Sequence, residues 1–118
     1  MLKNISYMSE RSLDLLLLDI KESINNILLF TNTVSFPDYS RDIKTKHAVH
    51  HNFMIIGEAV ARMPAKYKAE HNHINWRQVK DFRNVVVHDY FGLDDSIIWD
   101  IIKFSLPKLL QDISILSK

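Results

Sequence analysis

Apolar residues recur at intervals of three and four along most of this 118-residue chain, and this helical spacing is the feature that most limits its fold. The first such stripe runs from about Ser9 to Phe30, with Ser9 or Ser12 as its candidate N-cap. Only two glycines and three prolines occur, which is too few turn residues for a many-stranded sandwich or barrel. The sequence therefore predicts an all-α fold, with residues 1–118 as one domain built from four to five helices.

Capping residues, glycine and proline predict where the remaining helices begin and end. The first two long helices are predicted to be antiparallel neighbours. Extra leucines at positions 15, 17, 18 and 29 widen the first stripe and predict a second contact surface on that helix, such as another copy. After the first helix, we expect a loop over residues 31–39 and a second helix from Ser40 or Asp42 to Met63. A short helical turn within residues 65–73 precedes a third helix from Asn75 or Trp76 to Phe91. A fourth helix begins at Asp94 or Asp95, and Pro107 either kinks it or starts a fifth helix that ends near Leu116.

Composition excludes several classes of protein. Cysteine is absent, so disulfide scaffolds, thiol catalysis, thiolate zinc sites and iron–sulfur clusters are excluded. No signal-peptide pattern opens the chain, and the longest apolar runs are far shorter than a membrane span, which predicts a cytoplasmic protein with no membrane association. The overall charge is +1, but residues 41–83 carry a net charge of +5 and five of the six histidines. This segment is either a basic patch for an anionic partner or an ordinary solvated helix face.

The richest set of polar side chains lies near the end of the predicted third helix, at Arg83, Asn84, His88 and Tyr90. At about 100° per residue, Arg83 and Tyr90 lie within roughly 20° of each other, whereas His88 lies roughly 140° from Arg83. One regular helix therefore cannot readily aim Arg83 and His88 at a common point. Either the helix unwinds near His88, or a second copy of the chain supplies the missing group at a composite site in a homodimer.

These residue types suit the cleavage of an RNA phosphodiester bond. Arg83 can bind phosphate oxygens and stabilise the charge of a pentacoordinate transition state. His88, with an ordinary pKa of about 6.5, can take a proton from a ribose 2′-hydroxyl or return one to the leaving oxygen. Tyr90 can position phosphate, Asn84 can orient His88 or substrate, and this route needs neither a cofactor nor a metal. The alternative is a helix end where His88 caps carbonyl groups and the arginine pairs with Asp81 or Asp89.

The motif Arg-x4-His-x-Tyr resembles the signature of HEPN-domain proteins, and the whole chain resembles the HepT-type toxins of HEPN–MNT toxin–antitoxin pairs. The resemblance covers about residues 13–113. It rests on five segments in the family's order: Leu18-Asp-Ile, Phe53-Met-Ile-Ile-Gly-Glu-Ala, Ile74-Asn-Trp-Arg, Phe82-Arg-Asn-Val-Val-Val-His-Asp-Tyr-Phe and Ile98-Trp-Asp-Ile-Ile.

This resemblance implies a HEPN-type helical bundle that forms a homodimer, with an active-site cleft where two copies of the motif meet. It also implies a metal-independent endoribonuclease acting on tRNA or mRNA, with Arg83 and His88 as catalytic residues. The implied partner is a minimal nucleotidyltransferase antitoxin that transfers AMP to Tyr90. The competing interpretations are a non-catalytic helical subunit that binds nucleotide or substrate for a nucleotidyltransferase, and a structural dimer whose motif only caps helices.

Three histidines and two tryptophans are further candidates. His47, His50 and His51 share a helix, and His47 and His51 have the spacing to share a zinc ion. No Asp, Glu or Cys stands nearby to complete a site, so surface or RNA-facing histidines are favoured over metal ligands. Trp76 and Trp99 are expected to pack in the core or in a dimer interface rather than to stack on bases.

Charged residues outside the motif have both structural and functional interpretations. Glu58 lies in an apolar stretch. It is either a simple surface group where the helix turns outward or, if it is interior, a partner for a basic side chain such as Arg83. Arg77 and Lys80 are candidate substrate-binding residues, and the lysines at positions 66 and 68 extend the same basic set. A solvated basic face, or a surface that docks an acidic antitoxin, is equally compatible with these charges.

Overall fold

The structure is a computed structural model that describes residues 12–90 and 95–116, without the side chains of residues 88–90. Within these ranges every element is helical, so the predicted all-α class is confirmed. In chain order the elements are α1 (Leu13–Thr31), α2 (Phe36–Arg41), α3 (Ile43–Arg62), α4 (Ala65–Glu70), α5 (Trp76–Tyr90), α6 (Asp95–Asp100), a π-helical turn (Ile101–Ser105) and α7 (Leu106–Leu116).

Side-chain caps fix where the three long helices begin. The Ser12 hydroxyl accepts a hydrogen bond from the amide of Leu15 at 3.3 Å, so it is the cap of α1, while Ser9 lies outside the described residues. Asp42 caps α3 in the same way, accepting from the amide of Thr45 at 3.1 Å. The Asn75 side chain accepts from the third residue of α5 at 3.0 Å. These starts agree with one of the two candidates predicted for each helix.

The loop predicted over residues 31–39 is wrong in its second half, because α2 begins at Phe36. Ser35 is the N-cap and accepts a hydrogen bond from the amide of Asp38 at 3.3 Å. Pro37 lies in the first turn, where the N–H that proline lacks has no partner in a helix anyway. The side chain of Tyr39 is fully buried and anchors this short helix to the core. The proline therefore starts a helix here and does not interrupt one.

The chain from residue 95 to residue 116 forms one helical segment that changes pitch in the middle. The amide of Leu106 donates to the carbonyl of Ile101, five residues earlier, which is the hydrogen bond of a π-helix. Pro107 follows at once, and its ring would clash with the carbonyl four residues before it in a regular α-helix. The wide turn separates α6 from α7, so the last helix begins at Leu106, beside the predicted proline. The predicted stop at Phe91-Gly92 and the cap at Asp94 lie outside the described residues.

Helix α3 occupies the centre, packed on one side by α1 and on the other by α5. The Asn26 amide donates to Asn52 at 3.2 Å, while Leu16 and Ala59 line a common groove further along, so α1 and α3 are antiparallel as predicted. On the other side, the rings of Phe53 and Phe82 meet edge to face with centroids 5.4 Å apart. The central position of α3 means that a side chain on its exposed edge can contact both neighbouring helices.

The leucine-rich helix α1 buries one face within this chain. Leu16, Leu17 and Ile20 are buried, whereas Leu15, Leu18 and Leu29 are exposed. Of the extra leucines, Leu17 joins the core and the others stay on the surface of the single chain. The prediction that α1 contacts a second copy stays a prediction.

Two phenylalanines of opposite exposure test the assignment of the core. Phe82 is 3% exposed and Phe104 is 74% exposed. We expect Phe82→Ala to lower the free energy of unfolding by about 3–5 kcal/mol, because it leaves a cavity between α3 and α5. The matched change Phe104→Ala is expected to alter it by no more than about 0.5 kcal/mol. Urea denaturation followed by circular dichroism measures both, and equal losses would contradict this assignment of the core.

Candidate functional site

Helices α3 and α5 pack tightly against each other at Gly57. A methyl group at this position would lie 2.6 Å from the Cδ atom of Arg83 and 3.2 Å from the carbonyl oxygen of Lys80, with the Cγ atom of Arg83 nearer still. No ordinary side chain fits without moving the aliphatic part of Arg83. The prediction that Gly57 marks close packing against another backbone is confirmed. The Arg83 side chain fills the space beside this glycine.

The Arg83 guanidinium group is held at the surface by Glu58, the residue after this glycine. Its Nη1 atom lies 2.9 Å from Oε1 of Glu58, with 35% of the arginine and 49% of the glutamate side chain exposed. The partner is thus on the neighbouring helix and not Asp81 on the same helix, while the side chain of Asp89 is not described. A guanidinium group carries five N–H donors, so this single hydrogen bond leaves it able to bind an anion.

The backbone of α5 is α-helical through Tyr90. Of the two arrangements that the motif allows, a helix that unwinds at His88 is therefore not what the described backbone shows. The side chains of His88 and Tyr90 lie outside the described part, so their contacts stay predictions. Asn84 is exposed and lies one residue beyond Arg83.

The other predicted substrate-binding residues, Arg77 and Lys80, are both exposed on α5. Lys80 lies one turn before Arg83, on the same side of the helix. Arg77 is rotated from Arg83 by about 120° and lines a different groove, shared with Ile97 and Ile101. The structure therefore places Lys80 near Arg83 and does not bring Arg77 to the same flank.

The two remaining candidate lysines, Lys66 and Lys68, lie on α4 and differ in their contacts. Lys66 is exposed, whereas the Lys68 amino group donates to the carbonyl oxygen of Val60 at 3.3 Å. That bond gives Lys68 a structural role at the end of α3. Of this pair, only Lys66 remains a simple candidate for binding phosphate.

Three imidazole rings line a groove between α3 and α5 that sequence reasoning did not identify. It has a volume of about 340 Å³ and is formed by His47, His50, His51, Met54, Val86 and Val87. His50 is the buried member, and its burial, followed by the positive charges of His47 and Lys46, lowers its pKa below the ordinary value. Among the described residues, no group of three or more His, Asp or Glu side chains has an arrangement that would hold a metal ion.

A half-buried ion pair connects this region to the segment after the motif. The Lys46 amino group lies 2.9 Å and 3.0 Å from the two carboxylate oxygens of Asp95. Both side chains are less than one-fifth exposed, so the pair is better shielded from water than the one between Arg83 and Glu58. It joins the first turns of α3 and α6, and nothing in the local sequence predicts it because the partners are 49 residues apart.

Both tryptophans pack inside the protein. The Trp76 indole N–H donates to the carbonyl oxygen of His71 at 3.0 Å, and its ring is buried. Trp99 is half-buried, with its ring centroid 5.1 Å from that of Tyr39 and 5.8 Å from that of Phe36. These contacts agree with the predicted packing role.

The chain is similar in sequence to proteins of one family. Residues 20–115 match the model of the HepT-like family, described as ribonuclease HepT-like. The chain is 38% identical over 91 residues to a probable ribonuclease HepT of Thermococcus cleftensis, covering 77% of this chain and 83% of that protein. It is 32% identical over 106 residues to a protein of Methanocaldococcus jannaschii named "Putative RNase", covering 90% and 88% of the two chains. No solved structure matches. Within residues 12–90 and 95–116, no helix combines the length and the apolar character needed to cross a membrane.

A double-mutant cycle tests the contact between Gly57 and Arg83. We expect Gly57→Ala to lower the free energy of unfolding by up to about 2 kcal/mol, because overpacking outweighs the better helix propensity of alanine. In an Arg83→Ala background the crowding side chain is gone, so the same change should instead be neutral or stabilising by up to about 1 kcal/mol. Denaturant unfolding measures the four proteins. An equal loss in both backgrounds would show that Arg83 does not fill this space.

The buried histidine should make stability depend on pH. Because the pKa of His50 is lower in the folded chain than in the unfolded chain, the unfolded chain binds a proton more readily. This contribution to the free energy of unfolding is complete above about pH 6.5 and is lost as the pH falls from there through the folded-state pKa. Urea unfolding between pH 5 and pH 8 should show a shallower loss in His50→Gln. The exposed His73→Gln is the control, and a wild-type slope in both variants would contradict the assignment.

Proposed function

The chain belongs to the HepT-like ribonuclease family, and we propose that it is the toxin of a HEPN–MNT toxin–antitoxin system. In this proposal it is a cytoplasmic endoribonuclease that cuts tRNA or mRNA without a metal ion. The observation that carries the proposal is the partly exposed Arg83, which lies on the same helix as His88 and is held by Glu58 of α3. Arg83, His88 and Tyr90 keep the spacing of the motif inside the matched range.

Each catalytic group has one task in the proposed reaction. The ribose 2′-oxygen attacks the phosphorus atom and the bond to the 5′-oxygen of the next nucleotide breaks, so a 2′,3′-cyclic phosphate and a free 5′-hydroxyl form. His88 moves the proton, either by accepting it from the 2′-hydroxyl or by donating one to the leaving oxygen. Arg83 binds the non-bridging oxygens and stabilises the extra negative charge of the transition state. Lys80 and Asn84 contact the adjoining substrate from the same helix.

Two copies of the chain complete the proposed site. The continuous helix through Tyr90 supports this arrangement, because Arg83 and His88 point about 140° apart on a regular helix. A second α5 placed against the first would bring His88 of one protomer to Arg83 of the other. The resulting cleft would hold one phosphate between two chains, and a symmetric dimer would contain this arrangement twice.

Tyr90 is the proposed point of control. A nucleotidyltransferase antitoxin would join the phenolic oxygen of Tyr90 to the α-phosphorus of ATP, with release of pyrophosphate and of the phenolic proton. The helical positions of Tyr90 and Arg83 differ by only about 20°, so the new phosphate lies on the side of the helix that binds RNA. Its negative charge would occupy Arg83 and repel the substrate.

Loss of either catalytic side chain should stop cleavage while the fold persists. We expect Arg83→Ala and His88→Ala each to lower the rate of RNA cleavage at least about 100-fold, as for other general acid–base and charge-stabilising groups. The exposed Arg41→Ala and His73→Ala are matched controls that should keep the wild-type rate. Gel analysis of end-labelled tRNA and mRNA measures cleavage, and helical circular dichroism checks the fold. Wild-type rates in both purified motif variants would contradict the catalytic assignment.

Mixing the two inactive variants tests whether the site is composite. In a heterodimer of Arg83→Ala with His88→Ala, one cleft keeps an intact arginine from one chain and an intact histidine from the other. An equal mixture that exchanges subunits should therefore regain about a quarter of the wild-type activity. Separate sites within each protomer predict no recovery. Tight RNA binding by a wild-type protein that never shortens the RNA would instead identify the non-catalytic binding role.

A further inference from the structure

We infer that the groove between α3 and α5 binds a nucleobase of the RNA, next to the phosphate that Arg83 holds. We call this groove the imidazole groove, and its lining residues are His47, His50, His51, Met54, Val86 and Val87. The inference rests on the proposed function, because it assigns the base-binding part of the same RNA site. It adds a role for three histidines and a methionine of α3, which lie far from the motif in the sequence.

The position of the imidazole groove is the first argument. Val86 and Val87 form its α5 wall and directly precede His88 in the chain. Val87 is four residues after Arg83, so the two side chains lie one turn apart on the same side of α5. A phosphate bound at Arg83 would therefore place an adjoining nucleotide over the groove, within the reach of one sugar.

The chemistry of the lining is the second argument. Imidazole rings, the Met54 thioether and valine methyl groups present flat or apolar surfaces, which suit the face of a heteroaromatic ring and not a phosphate group. The ring centroids of His47 and His50 lie 6.2 Å apart. His51 is exposed at the rim, where its ring can stack on the face of a base.

Size and exposure are the third argument. The groove volume of about 340 Å³ is near the lower end of the range for small-molecule pockets, about 300–1,000 Å³, and is adequate for one base. Met54 and Val87 are 36% and 48% exposed although both are apolar. The single chain thus leaves an uncovered apolar surface beside its candidate catalytic arginine, and a stacked base would cover it.

The burial of His50 supports the same occupant. Burial lowers the pKa of His50, so this imidazole is neutral at neutral pH and itself offers no positive charge to a phosphate. Arg83 and Lys80 supply that charge outside the groove. The division matches a nucleotide, with its charged phosphate on the basic helix face and its neutral base in the groove.

The test couples one groove residue to one base. The cleavage position is first mapped in an RNA that the wild-type protein cuts. A non-cleavable version of that RNA then carries a 2′-deoxyribose at the cut, and further versions carry one abasic site each. Fluorescence anisotropy measures the affinity of every version for the wild-type protein and for His51→Ala. We expect one abasic position beside the cut to weaken wild-type binding about five- to 100-fold, which is the range for one stacked base.

In His51→Ala this penalty should fall to less than about twofold, because the stacking partner is already gone. His51→Phe restores an aromatic ring and should restore the penalty. His73→Ala, a histidine outside the groove, should leave every affinity unchanged. Lys80→Ala should weaken all versions by a similar factor, because it removes a phosphate contact and not a base contact. Met54→Ala is the second groove variant, and it replaces His51→Ala if circular dichroism shows that His51→Ala does not fold.

The outcomes separate this inference from the proposed function. A wild-type protein that neither binds nor cuts RNA overturns both. Cleavage without any abasic penalty beside the cut, or a penalty that stays the same in His51→Ala and Met54→Ala, overturns the base site and leaves the ribonuclease proposal standing. If the groove variants shift the sedimentation coefficient from dimer to monomer while the abasic penalty is unchanged, a second copy covers the groove, and the inference is wrong.

Discussion

The close approach of α3 and α5 at Gly57 determines how this surface is built. Because residue 57 has no side chain, the aliphatic part of Arg83 crosses α3 at that point and its guanidinium group reaches Glu58. The glycine costs about 1 kcal/mol of helix propensity, which the core on either side must offset. The edge-to-face contact between Phe53 and Phe82 lies one turn away and contributes to that core. A stable interior and a positioned surface cation thus depend on one backbone contact.

The features that local sequence encodes were predicted well. The helical spacing of apolar residues indicates α1, α3 and α5, and the caps at Ser12 and Asp42 limit where two of them begin. For these helices and caps, the signal is a residue type whose physical requirement has few solutions. Glu58 was expected to pair with a basic side chain only if it lay in the interior, whereas it pairs with Arg83 at the surface, with 49% of its side chain exposed.

The features that could not be predicted from the sequence depend on residues far apart in the chain, or on a residue type that is typical of two different structures. Pro37 marks either a loop or the first turn of a helix, and the Ser35 cap decides for the helix. The imidazole groove needs α3 and α5 to be antiparallel, so that His47 meets Val87, and no local pattern contains that register. The Lys46–Asp95 pair is similar, since two ordinary surface residues become a half-buried contact only after the chain folds. Arg83, His88 and Tyr90 were identified together from the sequence motif. The assembly of one site from the motifs of two chains stays a prediction.

The π-helical turn between α6 and α7 makes the C-terminal helix sensitive to the length of the chain at that point. A π-turn holds one residue more than the regular helix would, and here it lies just before Pro107. Deleting one residue between 101 and 105 would rotate all of α7 by about 100° relative to α6. Leu109 and Ile113, which are now buried, would turn away from the core. In a homologous chain, a change in the residue count of this turn therefore requires a matching shift in the apolar pattern of the last helix.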